Sequence, residues 1–201
     1  MPLPLPPNPH PQPLSFFIWF PSAAWKPDII LCDFASLREM NKNLPKPGDQ
    51  GRVLAVSISD RKGVVKHNIP RGRLVADHGL ESDAHAGSAR QVSLLAQESI
   101  GKMIALGAAV SAGDFAENIT TQGIEVMALP VGTVLKIGGE ALVEVTQIGK
   151  ACHNKGCAIK QQVGECVMPR EGIFVKVLEG GEIKPGDIIE VISVPGGHTH
   201  D

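Results

Sequence analysis

No apolar run in this chain approaches the roughly 18–20 residues needed to cross a bilayer, so no membrane-spanning helix is expected. An excess of positive charge is also missing. Lys and Arg number 19 against 21 Asp and Glu, for a net charge of −2. That balance argues against a nucleic-acid partner gripped by a broad basic field. Cysteine is sparse, at four in 201 residues, and three of the four fall between Cys152 and Cys166. A disulfide framework tying distant loops would be spread more widely, so reduced cytoplasmic thiols are expected, with a disulfide between two of them left open. No phosphate-binding G-x-x-x-x-G-K-[ST], dinucleotide G-x-G-x-x-G, zinc-protease H-E-x-x-H or hydrolase G-x-S-x-G is present. Hydrophobic residues make up 43% of the chain and charged residues 20%, which is enough for a sizeable core. With 22 Gly and 16 Pro, that core is expected to come from short strands and many turns.

Aromatic residues are scarce and unevenly placed. Six of the eight precede position 40, and only Phe115 and Phe174 follow. Eleven of the sixteen prolines lie at or before Pro47. The opening Pro2-Leu3-Pro4-Leu5-Pro6-Pro7 favours extended polyproline geometry and cannot donate a hydrogen-bond ladder. A secretory leader would need a basic start and an unbroken apolar stretch. Here the first Lys is Lys26, and Pro21 cuts short Leu14 to Phe20. Residues 1–47 are therefore expected to be a tail without a targeting role, 48–195 a domain, and 196–201 a second tail. Composition from Met40 onward matches the rest of the chain, so the native start is expected at Met40.

From Gly51 the pattern has mostly the two-residue period of strands. Arg52–Ser59 alternates, Asp60–Gly63 supplies a turn, and Val64–His67 resumes. Arg90–Leu95 reads as a strand. Glu98–Leu106 then takes helical spacing, with Ile100, Met103 and Ile104 on one face and Gly107 as its stop. Further strands are expected at Thr133–Ile137, Ala141–Thr146, Gly172–Leu178 and Asp187–Ile192. Short strands at regular spacing predict a mainly β fold: a closed, largely antiparallel β-barrel with one or two short helices.

Three segments could carry chemistry. The first is Gly149–Cys157, where Cys152 follows a strand and has Lys150, His153 and Lys155 beside it. Cationic neighbours favour the thiolate, the form that attacks sulfur, carries a persulfide or ligates a soft metal. The plain alternative is a buried structural cysteine, and three clustered thiols in a polar loop favour function over it. Zinc is less favoured, because Cys-x4-Cys lacks paired short knuckles. The second segment, Asp77–Gly87, holds two His and three carboxylates that could bind metal or move protons, though spacing alone favours a solvated acidic loop. Arg90 just beyond it suits a phosphate or pterin-like group, or equally an ordinary salt bridge. The third segment, Gly113–Thr121, reads as a turn then a strand, with Asn118 as a hydrogen-bonding anchor. The terminal His198-Thr199-His200-Asp201 could chelate a metal, but reads better as a frayed end.

Together these stretches resemble the MOSC domain, named for the C-terminal part of molybdenum cofactor sulfurases. The matching stretches are SDAHAGSARQVSLL, GDFAENITTQGI, LPVGTVLKIGG with LVEVTQIGKACHNKGC, and MPREGIFVKVLEGGEIKPGD. They occur in family order over roughly Gly51 to Val194. The chain is similar to the short, stand-alone branch, without the separate N-terminal β-barrel or the pyridoxal-phosphate (PLP) domain of larger members. The resemblance implies a β-barrel working around the molybdenum cofactor. It places the family cysteine at Cys152, the thiol that would carry sulfur or ligate molybdenum. Asp83, His85, Arg90 and Asn118 fall on the family's other polar positions and become the expected cofactor-binding residues.

Three mechanisms stay open at this stage. In the first, Cys152 carries persulfide, assisted by Lys150 and His153, and PLP enters only through a partner cysteine desulfurase. In the second, Cys152 ligates molybdenum in a small reductase of N-hydroxylated compounds that needs a redox partner. In the third, the chain is a non-catalytic cofactor-binding module serving a molybdenum cofactor biosynthesis protein.

Overall fold

The computed structural model describes residues 45–151 and 157–196. The expectations for most of the N-terminal tail, for the start at Met40, for His198–Asp201, and for Cys152 and His153 lie outside the described residues.

Strand β1 (Gln50–Ile58) realises the first alternating run. It pairs antiparallel with β6 (Ile119–Gln122) on one side and with β11 (Ile188–Ser193) on the other. The second pairing closes a ring. Its order is β11, β7 (Val134–Ile137), β8 (Ala141–Ile148), β9 (Ile173–Glu179), β5 (Val92–Ala96), β6 and β1. The structure is thus a closed seven-strand barrel, antiparallel at every junction except β5–β6. A parallel pair needs a crossover, and α1 (Gln97–Ala105) with the loop after it supplies one. Strand β2 (His67–Ile69) is appended to β1. A small separate sheet joins β3 (Gly72–Val75), β4 (Gly79–Leu80) and β10 (Gly181–Ile183).

Two local expectations shift. The second strand begins at His67 rather than Val64, because the Lys66 backbone N–H bonds the Gly113 carbonyl instead of a ladder partner (3.0 Å). Val64 and Val65 are left on an exposed loop. In α1 the buried stripe is Ser99, Ile100 and Met103, and Ile104 turns outward. Among the described residues there are two further short helices, α2 (Ala158–Val163) and α3 (Met168–Glu171), so the total of three exceeds the one or two expected.

The period-two geometry of strands builds two cores from the same segments. Leu94, Ile173 and Val175 point into the barrel beside Val53, Ile119, Ile137 and Val143. Their neighbours Leu95 and Phe174 point outward, where Ile100 and Met103 of α1, Phe115, Ile159 of α2 and Met168 of α3 cover them. Burying each such side chain contributes about 1.5–3 kcal/mol. The second core is incompletely filled along one edge, and that edge is the site.

Candidate functional site

A cleft of about 620 Å³ opens where the loop Gly63–Val65, the loop Ala109–Ala116, helix α2 and the segment after β8 meet. Among the described residues two cations stand at it, Arg90 and Lys150. Both lie over the ring of Phe174, with Arg90 Cζ at 5.3 Å and Lys150 Nζ at 5.8 Å from its centroid. A ring face carries negative quadrupole charge, so this one phenyl group attracts both cations.

Arg90 is further oriented by Gln147, whose Oε1 accepts from Arg90 Nε (3.2 Å). Gln147 Nε2 donates in turn to the Gly149 carbonyl (2.5 Å). Gln147 follows a register shift in β8, and bulges of this kind re-aim side chains near functional sites. Gly149 sits at φ +66°, and a Cβ there would collide with the Pro169 carbonyl, so only glycine makes this turn. The turn delivers Lys150, whose N–H bonds the Pro169 carbonyl (3.1 Å), and then Ala151, into the cleft. Residues 152–156, Cys152 among them, lie outside the described residues. On the far side of that stretch Cys157, a free thiol, opens α2 and lines the cleft, as does Cys166.

The other expected cofactor residues fall elsewhere. Asp83 is buried and paired with the equally buried Lys66. Its carboxylate also accepts from Ser59 N (3.1 Å) and His85 N (3.0 Å), and His85 Nδ1 lies 3.4 Å away. Burial alone would raise the Asp83 pKa, but hydrogen bonds from His85 and Lys66 outweigh it and hold the carboxyl well below the usual range. This segment is therefore no solvated acidic loop at Asp83. Among the described residues no three His, Cys, Asp or Glu side chains converge as a metal cluster. Asn118 accepts from Ser93 N (3.1 Å) and Ser93 Oγ (3.0 Å) and donates to the Ser57 carbonyl (3.2 Å), tying β1 to β5. Asp83, His85 and Asn118 do not line the cleft, whereas Arg90 and Lys150 do.

Sequence reasoning passed over Lys66, Glu117, Gln147 and the ring of Phe174. Glu117 is fully buried, and its Oε1 accepts from Gly113 N (2.7 Å) and Thr120 Oγ1 (2.9 Å). Burial outweighs these bonds and pushes its carboxyl pKa up, and its Oε2 has no hydrogen-bond partner among the described residues. The available signal was the scarcity of aromatics: the two beyond position 40, Phe115 and Phe174, both belong to this site.

No helix among the described residues is long and apolar enough to cross a membrane. No curated protein matches the chain. Its fold is similar to that of the YUAD protein from Bacillus subtilis, at 18% identity and a TM-score of 0.61, covering 72% of this chain and 96% of that one. It is also similar to YiiM from Geobacillus stearothermophilus, at 20% identity and a TM-score of 0.54, covering 71% and 75%. The MOSC domain matches residues 81–190, more than half of the sequence, and so the chain belongs to the MOSC domain family.

Proposed function

We propose that this protein handles sulfur for the molybdenum cofactor, carrying it as a persulfide on Cys152 for delivery to a metal centre. The observation that carries this reading is the Arg90–Phe174–Lys150 array at the head of the Cys152 segment. It sets positive charge two residues before Cys152 in the chain, and positive charge near a thiol favours the thiolate. In loading, the Cys152 thiolate attacks the outer sulfur of a donor cysteine persulfide. The Cys152–sulfur bond forms as the donor's S–S bond breaks, and the donor leaves as thiolate, so atoms and electrons balance. The donor is a PLP-dependent cysteine desulfurase, the PLP belonging to that partner. Lys150 and His153 stabilise the Cys152 thiolate.

The residues present fit the anionic part of the molybdenum cofactor. Arg90 and Lys150 would hold its phosphate, and a Cys152 thiolate would suit a soft metal. When bound, the cofactor supplies a metal centre able to accept sulfur or exchange electrons. Asp83, His85 and Asn118 act through the fold, Asp83 by holding Lys66 and Asn118 by tying β1 to β5. This reading takes the cytoplasm as the setting, the compartment that keeps thiols reduced.

A second reading has an observation in its favour, since the cleft is far larger than a sulfur atom requires. In that reading Cys152 ligates molybdenum, and the protein reduces N-hydroxylated compounds with electrons from a redox partner. Molybdenum content and Cys152 mass, measured on protein from cofactor-replete cells, separate the two. A sulfur adduct of about 32 Da after desulfurase treatment, lost in Cys152→Ser, supports the carrier. Stoichiometric molybdenum that Cys152→Ala abolishes, without an adduct, supports the reductase. Molybdenum retained by Cys152→Ala would instead mark a non-catalytic cofactor-binding module.

A further inference from the structure

The walls of the cleft say more about its occupant than its cations do. Val64, Val65, Val110, Phe115, Ile159 and Met168 line it, a surface suited to a hydrocarbon body. Val65 is 61% exposed at the lip, so an apolar residue stands uncovered where a ligand would enter. Hydrogen-bonding groups on the walls are turned to internal partners. Asp114 Oδ2 accepts from Ser111 N (2.7 Å) and Ser111 Oγ (3.1 Å), and Gln162 Oε1 accepts from Ala109 N (3.2 Å). Arg90 differs. Its Nε is held by Gln147 and its face by Phe174, with no carboxylate paired to it among the described residues. Fixing Nε leaves the two terminal amino groups as a preset fork, the shape that takes a carboxylate through two parallel bonds.

We propose that the cleft binds an organic monoanion, with an aliphatic or aromatic body against Val64, Val65, Val110 and Phe115 and a carboxylate-type head on Arg90. The inference rests on the cleft being the working site and deepens that reading by naming the class of small molecule that it takes. A bare oxyanion such as phosphate would use Arg90 and Lys150 but gain nothing from Val65.

The test uses the full chain and 8-anilinonaphthalene-1-sulfonate, an aromatic monoanion whose fluorescence rises on burial, with calorimetry for stoichiometry. One probe per chain is expected, displaced by decanoate and not by equimolar inorganic phosphate. Arg90→Gln should weaken the probe about tenfold, the scale of one charge-assisted contact. Val65→Glu, at an exposed position that leaves the fold intact, should weaken it comparably. Phosphate displacing the probe as well as decanoate, or unchanged affinity in both variants, would overturn the proposal. Persulfide loading of Cys152 is read separately by mass. Loading without probe binding would sink the organic-anion inference alone, and probe binding without loading would sink the sulfur reading alone.

Discussion

The Lys66 ammonium and the Asp83 carboxylate form an ion pair in which neither side chain is exposed to solvent. The backbone of Lys66 also joins two of the loops that line the cleft. Lys66 follows the loop bearing Val64 and Val65, and its backbone N–H bonds the Gly113 carbonyl at the start of the loop bearing Phe115 and Ala116. Gly113 sits at φ +96°, and a Cβ there would strike the Lys66 carbonyl, so the approach requires glycine.

Removing the cation should therefore be costly. Lys66→Met leaves a buried carboxylate without its partner, and an expected loss of about 3–5 kcal/mol is read by urea unfolding. The pH dependence has a defined sign. The folded pKa of Asp83 is depressed below its ordinary value of 3.8, so its stabilisation is present above that value and is lost as pH falls toward the folded pKa. Unfolding followed below about pH 4 should show this acid loss in the wild type and less of it in Lys66→Met. Equal acid slopes in the two proteins would contradict the assignment.

Glu117 runs the other way. Its folded pKa is raised above the ordinary 4.5, so its contribution is full below that value and is lost as pH rises through the folded pKa. Glu117→Gln has no proton to lose and keeps an acceptor for Gly113 and Thr120. Its melting temperature should vary less than that of the wild type between about pH 5 and pH 8. Parallel pH profiles would show that another group sets the slope.

Asn118→Ala should cost about 2–4 kcal/mol, because it strands the Ser93 N–H and the Ser57 carbonyl in the interior. Denaturant midpoints give the value. A change under about 0.5 kcal/mol would mean that these groups find new partners.

Ala116 lines the cleft at φ +62°, a left-handed conformation that penalises a Cβ by about 1–2 kcal/mol. Ala116→Gly relieves that strain but adds unfolded-chain entropy, for an expected net gain of about 0.5 kcal/mol. A net loss would show that the Ala116 methyl contributes more through packing than its backbone strain takes away.

Much of the barrel was legible as local pattern. β1, β7, β8, β9 and β11 follow runs whose alternation is visible in the chain, and Gly107 at φ +95° ends α1 where expected. The stretch at Val64–Val65 misled because two β-branched residues suit a strand, yet Lys66 is drawn to Gly113 and the pair is left on the lip of the cleft. Helices α2 and α3 span six and four residues, too short to display a helical period. Arg90 and Lys150 could be picked out as polar residues near motifs. That they share one ring could not, because Phe174 reaches them only through the pairing of β9 with β5 and β8.

By itself the sequence determined which residues alternate, where glycine permits a turn, and that the chain builds a β-barrel of the MOSC kind, since these follow from local conformational preference and motif order. The tertiary fold decided the rest. Alternation says that Phe174 faces the side opposite its neighbours, but not which strand lies next to it, and it says nothing of Lys66, Asp83 and Asn118, which lie outside the strands. Only the tertiary fold buries Lys66 on Asp83, hangs Asn118 between Ser57 and Ser93, and brings Arg90 and Lys150 over the ring of Phe174.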